Sequence, residues 1–136
     1  MPVYPNEEIL QTTLKTLFAR VGQDPQAAKS VVSSKLILRL RTTAPEADVV
    51  VNGRKNPPEI TYGQTKLRPD LEIELNADAL HKILLGELRL SSAVASKQLI
   101  VRGPIFKTFV FEDIFHSAQG FYPGVLEEVG LDSKGK

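Results

Sequence analysis

The sequence predicts a single α+β domain over residues 1–136, with a mostly antiparallel five-stranded sheet and helices packed on one face. Three observations predict it. Hydrophobic spacing begins at a helical period and changes to a two-residue period after Ser34. The elements then run two helices, four strands, helix, strand, helix, an order that segregates helices from strands rather than alternating them. With 42% hydrophobic residues in 136, one real core is affordable, since a chain this long buries about two-thirds of its unfolded surface.

The first helix starts at Asn6, a good N-cap, with Glu7 and Glu8 where the helix dipole favours acids. Ile9, Leu10, Leu14, Leu17, Phe18 and Val21 recur at helical spacing, and Gly22 stops it. Asp24 caps a short second helix with Pro25 at its first position, followed by Ala27, Ala28, Val31 and Val32. Leu36, Leu38 and Leu40 then alternate with Ile37, Arg39 and Arg41, a strand with one buried face. Ala44, Pro45 and Glu46 make a turn. Asp48 to Asn52 is a Val-rich strand, Asn52-Gly53 is a turn signal, and Asn56, Pro57 and Pro58 extend the loop. A short third strand carries Ile60 and Tyr62 up to Gly63.

After Pro69 the fourth strand sends Leu71, Ile73 and Leu75 inward and Glu72 and Glu74 outward. Asn76 or Asp78 caps a helix carrying Leu80, Ile83, Leu84 and Leu88, with Gly86 near its end. Ser91 to Ser96 forms a further helical turn, and Lys97 to Arg102 a fifth strand with Leu99 and Val101 on one face. Gly103-Pro104 opens a helix through about Ser117, and a last short helix covers Phe121 to Val129 beyond Gly120. The polar tail, 131–136, reads as frayed.

Composition excludes several functions. Cysteine is absent, so disulfides, thiolate metal sites and a thiol nucleophile are excluded together, and a reducing compartment is favoured. A net charge of +1 argues against nucleic-acid binding. No apolar run reaches membrane-spanning length, and MPVYPNEE lacks the features of a signal peptide. The expectation is a soluble cytoplasmic protein with at most transient membrane contact.

Catalytic signatures are missing. His81 and His116, the only histidines, sit in separate elements and fit surface or capping roles better than a metal site. Ser91, Ser92 and Ser96 have no nucleophile-elbow context, and no glycine-rich phosphate loop follows a strand. Arg39, Arg41, Arg54, Lys55, Lys66 and Arg68 could bind an anion. If the strands are neighbours, Arg39 and Arg41 instead pair with Glu72 and Glu74 across an exposed sheet face.

The most unusual stretch follows Pro104. Ile105, Phe106, Phe109, Val110, Phe111, Ile114 and Phe115 cover well over half a helix circumference, whereas a surface helix needs a stripe of about 100°. The excess belongs in the core beneath Phe121 and Tyr122, in a subunit interface, or around a lipid.

The segment PDLEIELNADALHKILLGELRLSSAVASKQLIVRGP resembles the sterol carrier protein 2 family of small lipid-binding domains. Asp70 opens the alternating strand Leu71-Ile73-Leu75 and Asp78 stands at the helix start. Leu84, Gly86 and Leu88 follow, then Ala93, Leu99, Val101 and Gly103, all in the family's register. Lys97, Leu90 and Pro104 depart from residues common in the family, and Phe106, Phe109, Phe111 and Phe115 replace smaller aliphatic ones. Inward-pointing rings would narrow a tunnel wide enough for a sterol. The C-terminal SKGK lacks a peroxisomal Ser-Lys-Leu ending.

The resemblance implies non-catalytic lipid binding or transfer, with a fatty acyl, isoprenoid or sterol-like ligand in an apolar cavity between sheet and helices. Pattern places Leu38, Leu40, Val51, Ile73 and Val101 on its sheet wall. Leu80, Ile83, Leu84, Phe106, Phe109, Val110 and Ile114 are the helical candidates. No catalytic residue, metal or cofactor is expected. The alternative is an interaction module, with the aromatic helix forming a homodimer or docking on a partner enzyme. A small enzyme using Glu112 or Asp113 as a base is a third reading.

Overall fold

The computed structural model describes residues 3–63 and 65–131, so all but the first residue of the polar tail lies outside the described residues. Two helices come first, α1 (Glu7–Val21) and α2 (Pro25–Ser34). Their caps form as the side-chain chemistry requires. Asn6 Oδ1 accepts from the Ile9 amide at 2.9 Å and Asp24 Oδ1 from the Gln26 amide at 3.1 Å. The strands are β1 (Ile37–Thr43), β2 (Ala47–Asn52), β3 (Glu59–Tyr62), β4 (Leu71–Asn76) and β5 (Leu99–Arg102). Between the last two lie α3 (Ala77–Leu84) and α4 (Leu90–Ala95). Asn76 is the cap of α3, accepting from the Ala79 amide, while Asp78 Oδ1 accepts from the Val3 amide and ties down the N-terminal segment.

The five strands form one sheet in the order β3-β2-β1-β4-β5. Three pairings are antiparallel, but β1 and β4 are parallel, with Leu38 opposite Leu71 and Leu40 opposite Ile73. The β2–β3 hairpin occupies one side of β1, and because β3 runs parallel to β1 the segment after Tyr62 crosses back along the sheet before β4 starts on the other side. A hollow of about 230 Å³ lined by Arg39, Gly63, Thr65 and Leu67 marks where this return crosses the helix-free face.

Side-chain alternation gives the sheet two unlike faces. Leu38, Leu40, Val49, Val51, Leu71, Ile73, Leu75 and Leu99 pack inward beneath the helices and are buried. The opposite face carries an ion-pair lattice. Arg39 reaches Asp48 at 2.8 Å and Glu72 at 3.0 Å, and Arg102 bridges Glu72 at 2.9 Å and Glu74 at 3.3 Å. Arg54 grips both oxygens of Asp70, and Lys55 pairs with Glu59. Of the basic residues considered for an anion site, the central ones are therefore engaged by neighbouring carboxylates.

The C-terminal region differs from the sequence expectation. A single 3-10 turn, Ile105–Lys107, leads into one helix, α5 (Phe109–Glu128), which continues through Gly120 and Pro123. Proline removes one amide donor and glycine costs helix propensity. Both sit on the exposed side, while Ser117, Ala118, Tyr122, Val125 and Leu126 are buried along the other. Burial of that stripe outweighs the two local penalties. Ser117 also donates to Asp24 Oδ2 at 2.6 Å, joining α5 to the cap of α2.

Gly103 is demanded by close approach. Its φ is +115°, and a β-carbon there would stand 2.4 Å from the Asp70 carbonyl oxygen. Gly103→Ala is expected to cost about 3 kcal/mol, from left-handed strain plus the displaced β4 backbone. Urea unfolding should show a lower midpoint at unchanged slope; an unchanged midpoint would refute this account of the junction.

Candidate functional site

The interior between sheet and helices is packed nearly shut. A half-open recess at its β3 side, bordered by Phe18, Val31, Val51, Ile60 and Ile114, is about 30 Å³, enough for one water. The larger apolar space lies at the open edge of the sheet. There Ile73, Leu99 and Val101 form a floor, Leu90, Ser91 and Val94 of α4 one wall, and Ile105, Thr108 and Glu112 the other. This pocket measures about 220 Å³. A more open hollow of about 410 Å³ shares Leu90, Ser91 and Glu112 with it and continues past Arg89, Phe115, His116 and Gln119.

Local structure explains why space is left here. β5 is a four-residue edge strand with no strand paired beyond it among the described residues. Helix α4 is six residues long, has no side-chain N-cap and buries only Ala93. Elements with so few buried contacts open most easily. The polar groups at the pocket are few: Ser91, Thr108 and the exposed Glu112. Asp113 accepts from the Ser30 hydroxyl instead.

The positions expected on a cavity wall separate into distinct places. Ile73 and Val101 border the edge pocket, Ile83 the open hollow, and Val51 and Ile114 the small recess. Leu38, Leu40, Leu80, Leu84 and Val110 are buried core residues that border none of these three. Phe106 and Phe109 lie at the surface, 78% and 53% exposed. At 3.6 residues per turn, Phe109 falls opposite the stripe of Val110, Ile114 and Ala118, so α5 cannot bury both. Phe111 and Phe115 do point inward, their rings stacked with centroids 6.2 Å apart. The wall residues Leu90, Val94, Leu99 and Ile105 were not among the expected set. Leu99 was recoverable, because it shares a strand face with Val101.

His81 contradicts the expectation of a surface or capping role, being 4% exposed. Its Nδ1 lies 2.6 Å from the Tyr122 hydroxyl, which is itself hydrogen-bonded to the Tyr4 hydroxyl. The rings meet edge to face, and the three hollows described above are lined by none of the three residues. Burial pushes both tyrosines well above their ordinary range and holds the His81 pKa below 6.5, against the opposing pull of Glu87 and Asp78. His81 Nε2 has no hydrogen-bond partner among the described residues. No three His, Asp or Glu side chains among the described residues gather to hold a metal. None of the helices described is long and apolar enough to cross a membrane.

No protein-family model matches the chain, and no curated protein matches it. Solved structures do. Sterol carrier protein 2 from Yarrowia lipolytica, in its apo form, superposes with a TM-score of 0.61 at 20% identity, over 85% of this chain and 93% of that one. The palmitated SCP2L2 of Aedes aegypti gives 0.59 at 18%, over 79% and 94%. UbiJ-SCP2, a ubiquinone synthesis protein, gives 0.58 at 20%, over 82% and 97%. The chain therefore has the sterol carrier protein 2 fold.

The buried histidine makes stability pH-dependent. As pH falls, the unfolded chain protonates at His81 near the ordinary histidine value of about 6.5, before the folded one does. Stability contributed by the neutral ring is thus present above that value and falls with pH below it, by up to about 1.4 kcal/mol per pH unit. Unfolding midpoints at about pH 7.5 and pH 5.5 should diverge less in His81→Phe than in the parent protein. Equal divergence in the two would show that His81 is not the group responsible.

Proposed function

We propose that this protein binds a lipid or acyl chain in the pocket at the β5 edge and carries it through the cytoplasm without transforming it. The observation that carries this reading is the pocket's lining. Ile73, Leu90, Val94, Leu99, Val101 and Ile105 supply an apolar surface with few polar groups at its rim. That is what an acyl chain requires: each methylene removed from water contributes about 0.8 kcal/mol, and a few polar contacts suffice for orientation.

At about 220 Å³ the pocket is smaller than the roughly 300–1,000 Å³ usual for ligand sites. Occupancy therefore requires α4 and the 3-10 turn to separate. The short, weakly capped α4 is the element suited to yield, and the contiguous hollow along Leu90 and Ser91 gives a longer ligand a path outward. The fold supports the reading further, and the neighbours suggest which ligands to try. A palmitate-type chain comes first, given the palmitated Aedes aegypti protein, and an isoprenoid second, given the ubiquinone synthesis protein. A rigid sterol fits less well, because Phe111 and Phe115 fill the interior.

Native mass spectrometry of protein purified from cells, with extraction of bound lipid, tests this. Co-purified lipid or uptake of palmitate is expected. Ser91→Trp, at an exposed position on the rim, should weaken palmitate binding about tenfold or more by filling the pocket while leaving the core intact. Protein that is always empty and ignores fatty acyl, acyl-CoA, isoprenoid and sterol probes would overturn the proposal.

A further inference from the structure

We propose that the corner made by the 3-10 turn and the start of α5 docks on the surface of an anionic lipid bilayer, where the edge pocket exchanges its ligand. This rests on the lipid-binding reading and names the partner from which the lipid comes. The argument begins with where exposed apolar side chains fall. Among the described residues, the large exposed hydrophobics are Val94, Ile100, Ile105, Phe106 and Phe109, all within residues 94–109. Ile100 lies on the ion-paired face opposite Glu74, and the other four belong to the elements that flank the pocket. Val94 and Ile105 are themselves pocket walls, 38% and 62% exposed, and Phe106 follows directly at 78%.

Charge is segregated onto the same stretch. Residues 88–111 hold Arg89, Lys97, Arg102 and Lys107 and no carboxylate. The whole chain carries only +1, so the remainder stands at −3. Arg102 is engaged by Glu72 and Glu74, but Arg89, Lys97 and Lys107 form no ion pair among the described residues. Glu87 and Glu112 bound the stretch along the chain, and Glu112 lies on the pocket wall. Phenylalanines that enter the acyl boundary, flanked by unpaired cations at head-group level, form the combination that holds a protein at an anionic membrane surface. The position of the pocket mouth adds a reason for this partner. A lipid leaving between Val94 and Ile105 would pass directly into hydrocarbon without exposing its chain to water.

Sedimentation with vesicles of equimolar phosphatidylcholine and phosphatidylserine tests the proposal, with phosphatidylcholine vesicles as reference. Binding to the anionic vesicles is expected, weakening as salt is raised. Each cation removed should weaken it about fivefold, so Lys97→Gln with Lys107→Gln loses about 25-fold. Phe106→Ser with Phe109→Ser should lose about tenfold or more. Circular dichroism checks that these surface variants keep the fold, and uptake of a fluorescent fatty acid in vesicle-free solution is read in parallel. The lysine variant should keep that uptake. A protein that takes up the fatty acid but ignores anionic vesicles overturns the docking surface and leaves the lipid reading standing. Vesicle binding without fatty-acid uptake supports the docking surface and counts against the lipid reading. A dimer dissociated by Phe106→Ser, with vesicles ignored, overturns the proposal and assigns the face to a second copy.

Discussion

The parallel pairing of β1 with β4 is the constraint on which the rest of the molecule depends, and Asp70 is where it is fastened. The Asp70 amide donates to the Ile37 carbonyl at 2.7 Å, and its Oδ2 accepts from the Ile37 amide at 2.8 Å. Arg54 closes on both carboxylate oxygens from the end of β2, and Gly103 lies against the Asp70 carbonyl from the end of β5. One residue thus joins four strands at their ends. A slip of one residue at this joint would turn Leu71, Ile73 and Leu75 out to the charged face and drive Glu72 into the core.

With that register held, the remaining architecture follows. The inward positions of the central strands are apolar except Thr42, whose hydroxyl donates to the Pro45 carbonyl, so α1, α3 and α5 close over the sheet and the recess at its β3 side is only water-sized. Usable space is displaced to the periphery, where β5 ends the sheet and the small residues of α4 pack loosely. The same displacement brings the pocket next to a stretch where Arg89, Lys97 and Lys107 form no ion pair among the described residues and where Phe106 and Phe109 face outward. Binding and delivery, as proposed, would then use neighbouring surfaces of a single corner, while the ion-paired face on the other side of the sheet serves the fold.

Much of this was legible from residue order. The alternation in Leu36–Arg41 and Leu71–Leu75 marked the buried faces, Asn6 and Asp24 marked the helix starts, and Arg39 opposite Glu72 followed once the strands were neighbours. These signals are local, and each concerns groups within a turn or a strand pair. The C-terminal helix was read less well. Gly120 suggested a break because propensity is local too, but the stripe from Ser117 to Leu126 packs against distant elements, and that burial prevails. His81 was misplaced for the same reason: its partners, Tyr4 and Tyr122, come from opposite ends of the chain.

The sequence by itself determined the α+β class, the faces of the strands and an excess of aromatic side chains after Pro104, because periodicity and composition are properties of short segments. Only the tertiary structure decided how that excess is divided. One helix can turn only one stripe toward a core, and α1, α2 and α3 decide which. Phe111 and Phe115 therefore close the interior, whereas Phe106 and Phe109 are left in solvent beside the edge pocket. Which side of a helix meets the rest of the chain is a long-range fact, and it moved the candidate site from beneath the helices to the rim of the sheet.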